Sequence, residues 1–409
     1  MRSLPIMALG LLLVAACEGG STSGSPTAAA DILIASDMPR SAYPSNIVPL
    51  EQAIELAIAQ QGEIDGFKLS YLPLDDSLGY TANQAMGVQN INAMIADQRI
   101  LGMIGPYTSN AAFTEIPAAN AGDLAILSPS NTNMCLTLPV RYCARNVAVL
   151  RPNGHNTYFR IAPPEVAQGR AMGRYAANVL KVRRVAAFNE WVNTGPLVID
   201  AFASELAKAG GTVVLRSDLD TGTATFNKFL AEAKADGADA VYAVTNSTDD
   251  RVCVARAQMQ RLSFNAKFLI TDGALDSTCI KDAVDGAEGI LSTTTVVLPD
   301  PRTDPAAKAF VDAYRKAFPK NPSIPNYGFA AYDCARILIA AIKQAIETNA
   351  GHFPSRPQVV KALAALHFTG LTGVYSFDGN GDATSPMMSM YEVQKGAWVY
   401  KQQVSAGQS

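Results

Sequence analysis

The chain has 409 residues, 48% hydrophobic and 17% charged, with a formal net charge of −3 at neutral pH. This is the composition of a globular protein, and with no basic excess nucleic acid is not an expected partner. The N-terminus reads as an export signal over residues 1–16: Met1, Arg2 and Ser3, an apolar run from Leu4 to Ala16, then Cys17. The run is shorter than the ~17–25 residues that a spanning helix needs. No later stretch is comparably apolar. Residues 17–30, after Cys17 and Glu18, are Gly, Ser, Thr, Pro and Ala with no bulky side chain, so they predict a flexible tether.

Val14-Ala15-Ala16-Cys17 resembles a lipobox, the bacterial signal whose cysteine is acylated. Cys17 is therefore the expected lipidation site, which would hold an exported, soluble domain at the membrane by lipid alone. Export also puts the other cysteines, Cys135, Cys143, Cys253, Cys279 and Cys334, where disulfides persist. An odd number leaves at least one unpaired. Cys135 and Cys143 flank a Pro-containing loop and could staple it. Cys253 and Cys279 would pair only if neighbouring βα units bring them together. Cys334, in an apolar helix around Ala330 to Ile342, is expected to be a small buried thiol.

Beyond the tether, about 380 residues are too many for one compact core and suit two lobes. The spacing predicts a strand at Asp31–Ser36, a helix with Leu50, Ile54, Ala57 and Ile58 on one face, and a strand at Phe67–Leu74. A helix carrying Val88, Ile91, Met94 and Ile95 and a strand at Ile100–Ile104 follow, broken by Gly105-Pro106. The alternation resumes with strands at Val185–Phe188, Thr212–Leu215, Ala240–Val244 and Phe268–Thr271, and with helices around Phe202 and Phe229 between them. Such order predicts an α/β fold with parallel sheets covered on both faces. Ligands sit beyond the carboxyl ends of such strands, so the loops there are the candidate site.

Enzyme signatures are lacking. No strand-to-helix junction carries Gly-x-Ser-x-Gly, and the Gly-x-x-x-x-Gly-Lys-Ser/Thr phosphate loop is absent. The three histidines, His155, His352 and His367, have no His or Cys at metal-ligand spacing, so neither a metal nor a cofactor is expected. Asp378-Gly379-Asn380-Gly381-Asp382 begins like a calcium loop, but Ala383 and Ser389 stand where glycine and a bidentate glutamate belong. It is expected instead to turn a hairpin between strands at Gly373–Phe377 and Met388–Val393.

An ordered set of motifs now accumulates: Leu74-Asp75-Asp76-Ser77, Ile104-Gly105-Pro106-Tyr107-Thr108-Ser109, Leu127-Ser128-Pro129-Ser130-Asn131-Thr132, Tyr158-Phe159-Arg160, Tyr332-Asp333, and Gly370-Leu371-Thr372-Gly373. In this the chain resembles the leucine/isoleucine/valine-binding proteins of branched-chain amino acid ABC importers, which have the type I periplasmic-binding-protein fold. The resemblance implies two doubly wound lobes joined by three crossovers: lobe 1 from 31–160 plus 296–370, lobe 2 from 161–295 plus 371–409. Hinges would fall near Arg160–Pro163, Thr293–Val297 and Gly370–Thr372.

By the same resemblance, Ser109 and the loop Ser130-Asn131-Thr132 would hold an amino acid's carboxylate, unless Ser109 and Thr132 are only helix caps. Asp272, in Ile270-Thr271-Asp272-Gly273, would accept from the ligand ammonium. Asn193-Thr194-Gly195 stands where many relatives have a tyrosine before glycine, so Thr194 and Trp191 become candidate contacts. The implied protein is a monomeric, non-enzymatic solute receptor of the cell envelope, periplasmic or anchored to the outer face of the cytoplasmic membrane. It would close on a small polar ligand and dock on an ABC permease with cytoplasmic ATPases. The alternative is a ligand-sensing regulator on this fold, binding an amide or other metabolite.

Overall fold

The computed structural model describes residues 31–405 apart from Tyr80, 141–142, 144–145, 191–193, 220–222, Ala224, 246–250 and Pro386. The expected signal, the tether and Cys17 lie outside the described residues, as does Trp191. The chain begins β1 (Ile32–Asp37), α1 (Pro44–Gln61), β2 (Glu63–Ile64), β3 (Phe67–Leu74), the small pair β4 (Ser77–Leu78) and β5 (Thr81–Ala82), then α2 (Gln84–Ala96). It continues β6 (Ile100–Ile104), α3 (Ser109–Ala121), β7 (Ala125–Ser128) and β8 (Tyr158–Arg160). These strands form the first sheet in the order β2-β3-β1-β6-β7-β8, parallel except for the β2–β3 pair.

After β8 the chain crosses to α4 (Val166–Asn178), β9 (Arg184–Glu190), α5 (Gly195–Lys208), β10 (Thr212–Leu219), α6 (Asn227–Ala235), β11 (Ala240–Val244), α7 (Cys253–Arg261), β12 (Lys267–Ile270), α8 (Ser277–Ala283) and β13 (Leu291–Thr294). It returns through α9 (Pro305–Ala317), α10 (Gly328–Thr348), α11 (Arg356–Ala364) and the pair β14 (Phe368–Thr369) and β15 (Val374–Tyr375), and ends in β16 (Met387–Gln394) and β17 (Ala397–Ser405). The second sheet runs β10-β9-β11-β12-β13-β16-β17, with the last two strands antiparallel.

Each sheet is apolar on both faces, and each face has its own helices. In the first lobe α1, α9, α10 and α11 cover one side and α2 and α3 the other. In the second, α6, α7 and α8 lie on one side and α4 and α5 on the other. This follows from strands such as Ala240–Val244 being buried at every position, with no alternating polar face to present to water.

The last crossover lies later than Gly370–Thr372. Tyr375, Phe377 and Ala383 are buried in the first lobe's core, and the backbone N–H of Arg160 donates to Gly381 O. The chain therefore stays with the first sheet through Ala383 and joins the second at Met387. The turn at 378–382 forms, with Asp378 accepting from the Asn380 and Asp382 amides. It does not join two strands of one hairpin: β15 pairs with β14 and β16 with β13 and β17. Only a single bridge, Phe377 to Ala383, closes it. Gly381 is required there, with φ +88° and a position at which a Cβ would stand 2.0 Å from Tyr158 O.

Cysteines pair as Cys135–Cys143 and Cys253–Cys279, with Cα separations of 5.3 and 5.1 Å. The second pair joins α7 to α8, two neighbouring βα units. Cys334 is free and buried in α10.

Candidate ligand-binding cleft

The first lobe contributes the loops after β6 and β7. Gly105, at φ +129°, lets its loop pass Asp37, whose carbonyl oxygen would lie 2.6 Å from any Cβ. The Ser128 hydroxyl donates to Pro106 O and accepts from the amides of Ser130 and Asn131. The Asn131 side chain, fully buried, donates to Pro106 O and Tyr107 O and accepts from the Tyr158 hydroxyl at 3.0 Å. Ser130 donates to Tyr107 O at 2.8 Å. Ser130 and Asn131, both expected at the ligand, thus have their side chains turned inward, lacing the two loops together.

Ser109 and Thr132 remain partly exposed. Neither is a helix cap: Thr108 caps α3 by accepting from Ala111 N, and Asn133 caps the short turn at Met134–Leu136. Ser109 Oγ accepts from Asn133 N at 3.3 Å, joining the two loops beside the first amides of α3. Those amides have no acceptor inside the helix, so this loop edge suits an anion.

From the second lobe, Asp272 follows β12 at the carboxyl edge of the sheet. Its Oδ1 accepts from Gln168 Nε2 at 2.7 Å, and its own amide donates back to Gln168 Oε1 at 3.0 Å. Its Oδ2 accepts from Thr295 Oγ1 at 3.1 Å and from the Tyr327 hydroxyl at 3.4 Å. Burial raises its proton affinity, and the hydrogen bonds from Gln168 and Thr295 lower it in part. Tyr327 comes from the first lobe, just before α10, and meets Tyr107 edge to face with ring centroids 5.9 Å apart. Burial, followed by the Asp272 charge, pushes the Tyr107 hydroxyl up to about 12.

A second acid stands close by. Glu165, immediately before α4, accepts from the Thr194 hydroxyl, and its backbone N–H donates to Thr132 O at 2.8 Å. Burial pushes its carboxyl up to about 8, with Arg160 opposing and Asp272 adding to the rise. Thr194, expected to touch ligand, is buried and engaged with Glu165.

The structure sets Ser109 and Thr132 on the first lobe's loop edge and Asp272 at the second sheet's edge, links Thr132 to Glu165 and Tyr107 through Tyr327 to Asp272, and turns the side chains of Ser130, Asn131 and Thr194 to other partners. Tyr107 was visible in the Gly-Pro-Tyr motif. Gln168 and Tyr327 carried no sequence signal, because their relation to Asp272 spans 104 and 55 residues. Among the described residues no group of three His, Cys, Asp or Glu is placed to hold a metal.

Residues 39–397 match the family model described as periplasmic binding protein. The chain belongs to the periplasmic binding protein family. Membership implies a periplasmic or cell-envelope location and a solute-binding role. Among its relatives, the Leu/Ile/Val-binding protein homolog 1 of Brucella abortus is 23% identical over 373 residues, 90% of this chain and 92% of that protein. An amino acid binding protein of Pseudomonas aeruginosa is 25% identical over 254 residues, and this chain spans only 62% of that relative's length, with 62% of this chain covered. A leucine complex of an ABC transporter substrate-binding protein from Desulfitobacterium hafniense superposes with a TM-score of 0.73, 20% identity, and coverage of 91% of this chain and 100% of that one. A solute binding protein from R. palustris holding benzoate superposes with a TM-score of 0.67, 17% identity, and coverage of 92% and 97%. These superpositions identify the type I periplasmic-binding-protein fold.

Proposed function

We propose that this periplasmic binding protein is the non-enzymatic receptor of an ABC importer, and that it closes its two lobes on an amino acid. The reading is supported by an anion-suited loop edge at Ser109 and Thr132 on one lobe and a carboxylate at Asp272 on the other, joined through Glu165 and Tyr327. A zwitterion has complementary ends for both. Contacts made to both lobes at once are what stabilise a closed state. Several relatives named for leucine, isoleucine and valine support an amino acid as the solute. The closed surface would dock on a membrane permease with cytoplasmic ATPases, and acylation of Cys17 would keep the receptor at the membrane.

A thermal-shift screen of the purified protein against amino acids, amides, carboxylates and sugars tests the reading. An amino acid at 100 times its dissociation constant adds about 2.7 kcal/mol to stability. Asp272→Ala should abolish that shift. Stabilisation by uncharged or aromatic-acid compounds alone, in the manner of the benzoate complex, would sink the amino-acid assignment and leave the fold standing.

A further inference from the structure

The cleft holds two carboxylates where a simple zwitterion needs one. Gln168 stands one turn into α4 from Glu165 and holds Asp272, and Asp272 in turn raises the proton affinity of Glu165. Among the described residues, neither acid has an ion-pair partner. The one guanidinium that influences Glu165 is already committed. Arg160 pairs with Asp382 at 2.6 Å and gives three of its other four donors to Asn131 O, Asn133 O and Thr137 Oγ1.

With both acids ionised, Arg160 and Asp382 cancel, while Glu165 and Asp272 leave two negative charges. The donors facing a ligand carboxylate, Ser109 and Thr132, are neutral. A cationic ligand would supply the balance. Both acids are partly exposed, so a ligand can reach them. The rings of Tyr107 and Tyr327, set edge to face beside Asp272, add faces that attract cations.

We infer that the cleft prefers an amino acid bearing a second positive charge, with Asp272 taking the α-ammonium and Glu165 the side-chain cation. The inference rests on the reading of this cleft as an amino-acid site. Without a cation, the burial that pushes Glu165 to about 8 leaves it protonated through much of the neutral range. A cationic side chain expels that proton, so binding releases a proton and tightens as pH rises toward 8. The groups facing Glu165 are Thr194 before α5, Thr132 after β7, Arg160 on β8, Asp272 after β12, and Gln168 on its own helix. Arg160 and Asp272 carry the charges among them.

The test compares lysine with norleucine, its neutral counterpart of similar length, and with cadaverine, which lacks the carboxylate, by titration calorimetry at pH 8. Lysine should bind about tenfold or more tighter than norleucine, as expected for one charge-assisted hydrogen bond. Glu165→Gln should bring that ratio close to one. Repeating the lysine titration in buffers of different ionisation enthalpy should show proton release in the wild type and none in the variant. The ligand-free melting temperature of the variant reports whether it folds. Norleucine or leucine binding as tightly as lysine would overturn the inference while keeping the amino-acid reading. Cadaverine binding with no amino acid bound would overturn the carboxylate half of the site and keep the two-acid half. If none of these compounds binds, the inference falls, and the amino-acid reading stands or falls separately on the thermal-shift screen.

Discussion

Asp37, at the end of β1, is a buried acid with no ion-pair partner among the described residues. Its Oδ1 accepts from Asn90 Nδ2 at 2.8 Å, while Oδ2 has no hydrogen-bond partner among the described residues. The same holds for both carboxyl oxygens of Asp76 and of Glu115, which are also fully buried. Burial, and then the Asp76 charge, pushes Asp37 up to about 8. Burial, and then Asp75, pushes Asp76 up to about 7, and burial drives Glu115 well above the usual carboxyl range. A raised folded-state value means that the folded chain binds these protons more tightly than the unfolded chain, whose carboxyls titrate near ~4. The stabilisation is therefore complete below that range and is lost as pH rises through about 7 to 8. Urea unfolding across pH 5 to 9 should show stability falling with pH, and Asp37→Asn should flatten the slope and add about 1–3 kcal/mol at pH 9. A profile that rises with pH would mean that a cation compensates the cluster.

Residue-level legibility was uneven for a physical reason. Asp272 was named through the family resemblance, and its place directly after β12 puts it at the sheet's carboxyl edge, where ligands sit in such folds. Asn131 satisfied the same rule and yet turns inward, since Pro106 O, Tyr107 O and the Tyr158 hydroxyl draw its amide away from the cleft. Strand-end position predicts a neighbourhood, while side-chain direction depends on partners that only the fold assembles.

At the scale of elements, hydrophobic periodicity located β1, β3, β6 and β9 to β12 with the helices α1, α2, α5 and α6, but it paired β16 with the strand before the 378–382 turn, where the structure pairs it with β13 and β17. Alternation and turn residues are the same whether a strand folds back or crosses to another sheet. The deciding contact is the Arg160–Asp382 pair, with Thr137 donating to the other Asp382 oxygen. It ties the turn at 378–382 to the first lobe's last strand. Removing one partner strands a buried charge, so Asp382→Ala should cost about 3–5 kcal/mol in chemical denaturation, and a loss below 1 kcal/mol would show that the pair carries little. The Cys135–Cys143 staple makes a second prediction. Met134 and Cys135 pack with Val166 and Met172 of the second lobe, directly after the Thr132 loop. Replacing both cysteines by serine should lower stability by about 2–3 kcal/mol from loop entropy. It should also weaken ligand binding, because Thr132 loses its anchored neighbour. Unchanged affinity would place the excursion outside the binding process.

For the molecule as a whole, each sheet has cores on both faces, and one core of the second also takes in Met134 and Cys135 from the first lobe. The lobes meet through few polar contacts near the cleft: Glu165 N to Thr132 O, and Tyr327 with Thr295 at Asp272. Beside these contacts, Met134 and Cys135 pack into the second lobe's core, and three chain crossings join the lobes. A ligand binding one lobe alone would raise that lobe's stability and leave the separation unchanged. A ligand bridging Ser109 and Thr132 to Asp272 stabilises only the approached state, so its binding energy and the compaction are one event. Small-angle scattering with saturating ligand should accordingly show a smaller radius of gyration alongside the rise in melting temperature, and both changes should disappear together in Asp272→Ala. A melting shift without compaction would place the ligand within a single lobe and break the bridging mechanism, because the acid on the far side of the cleft would then have no part in holding the lobes together.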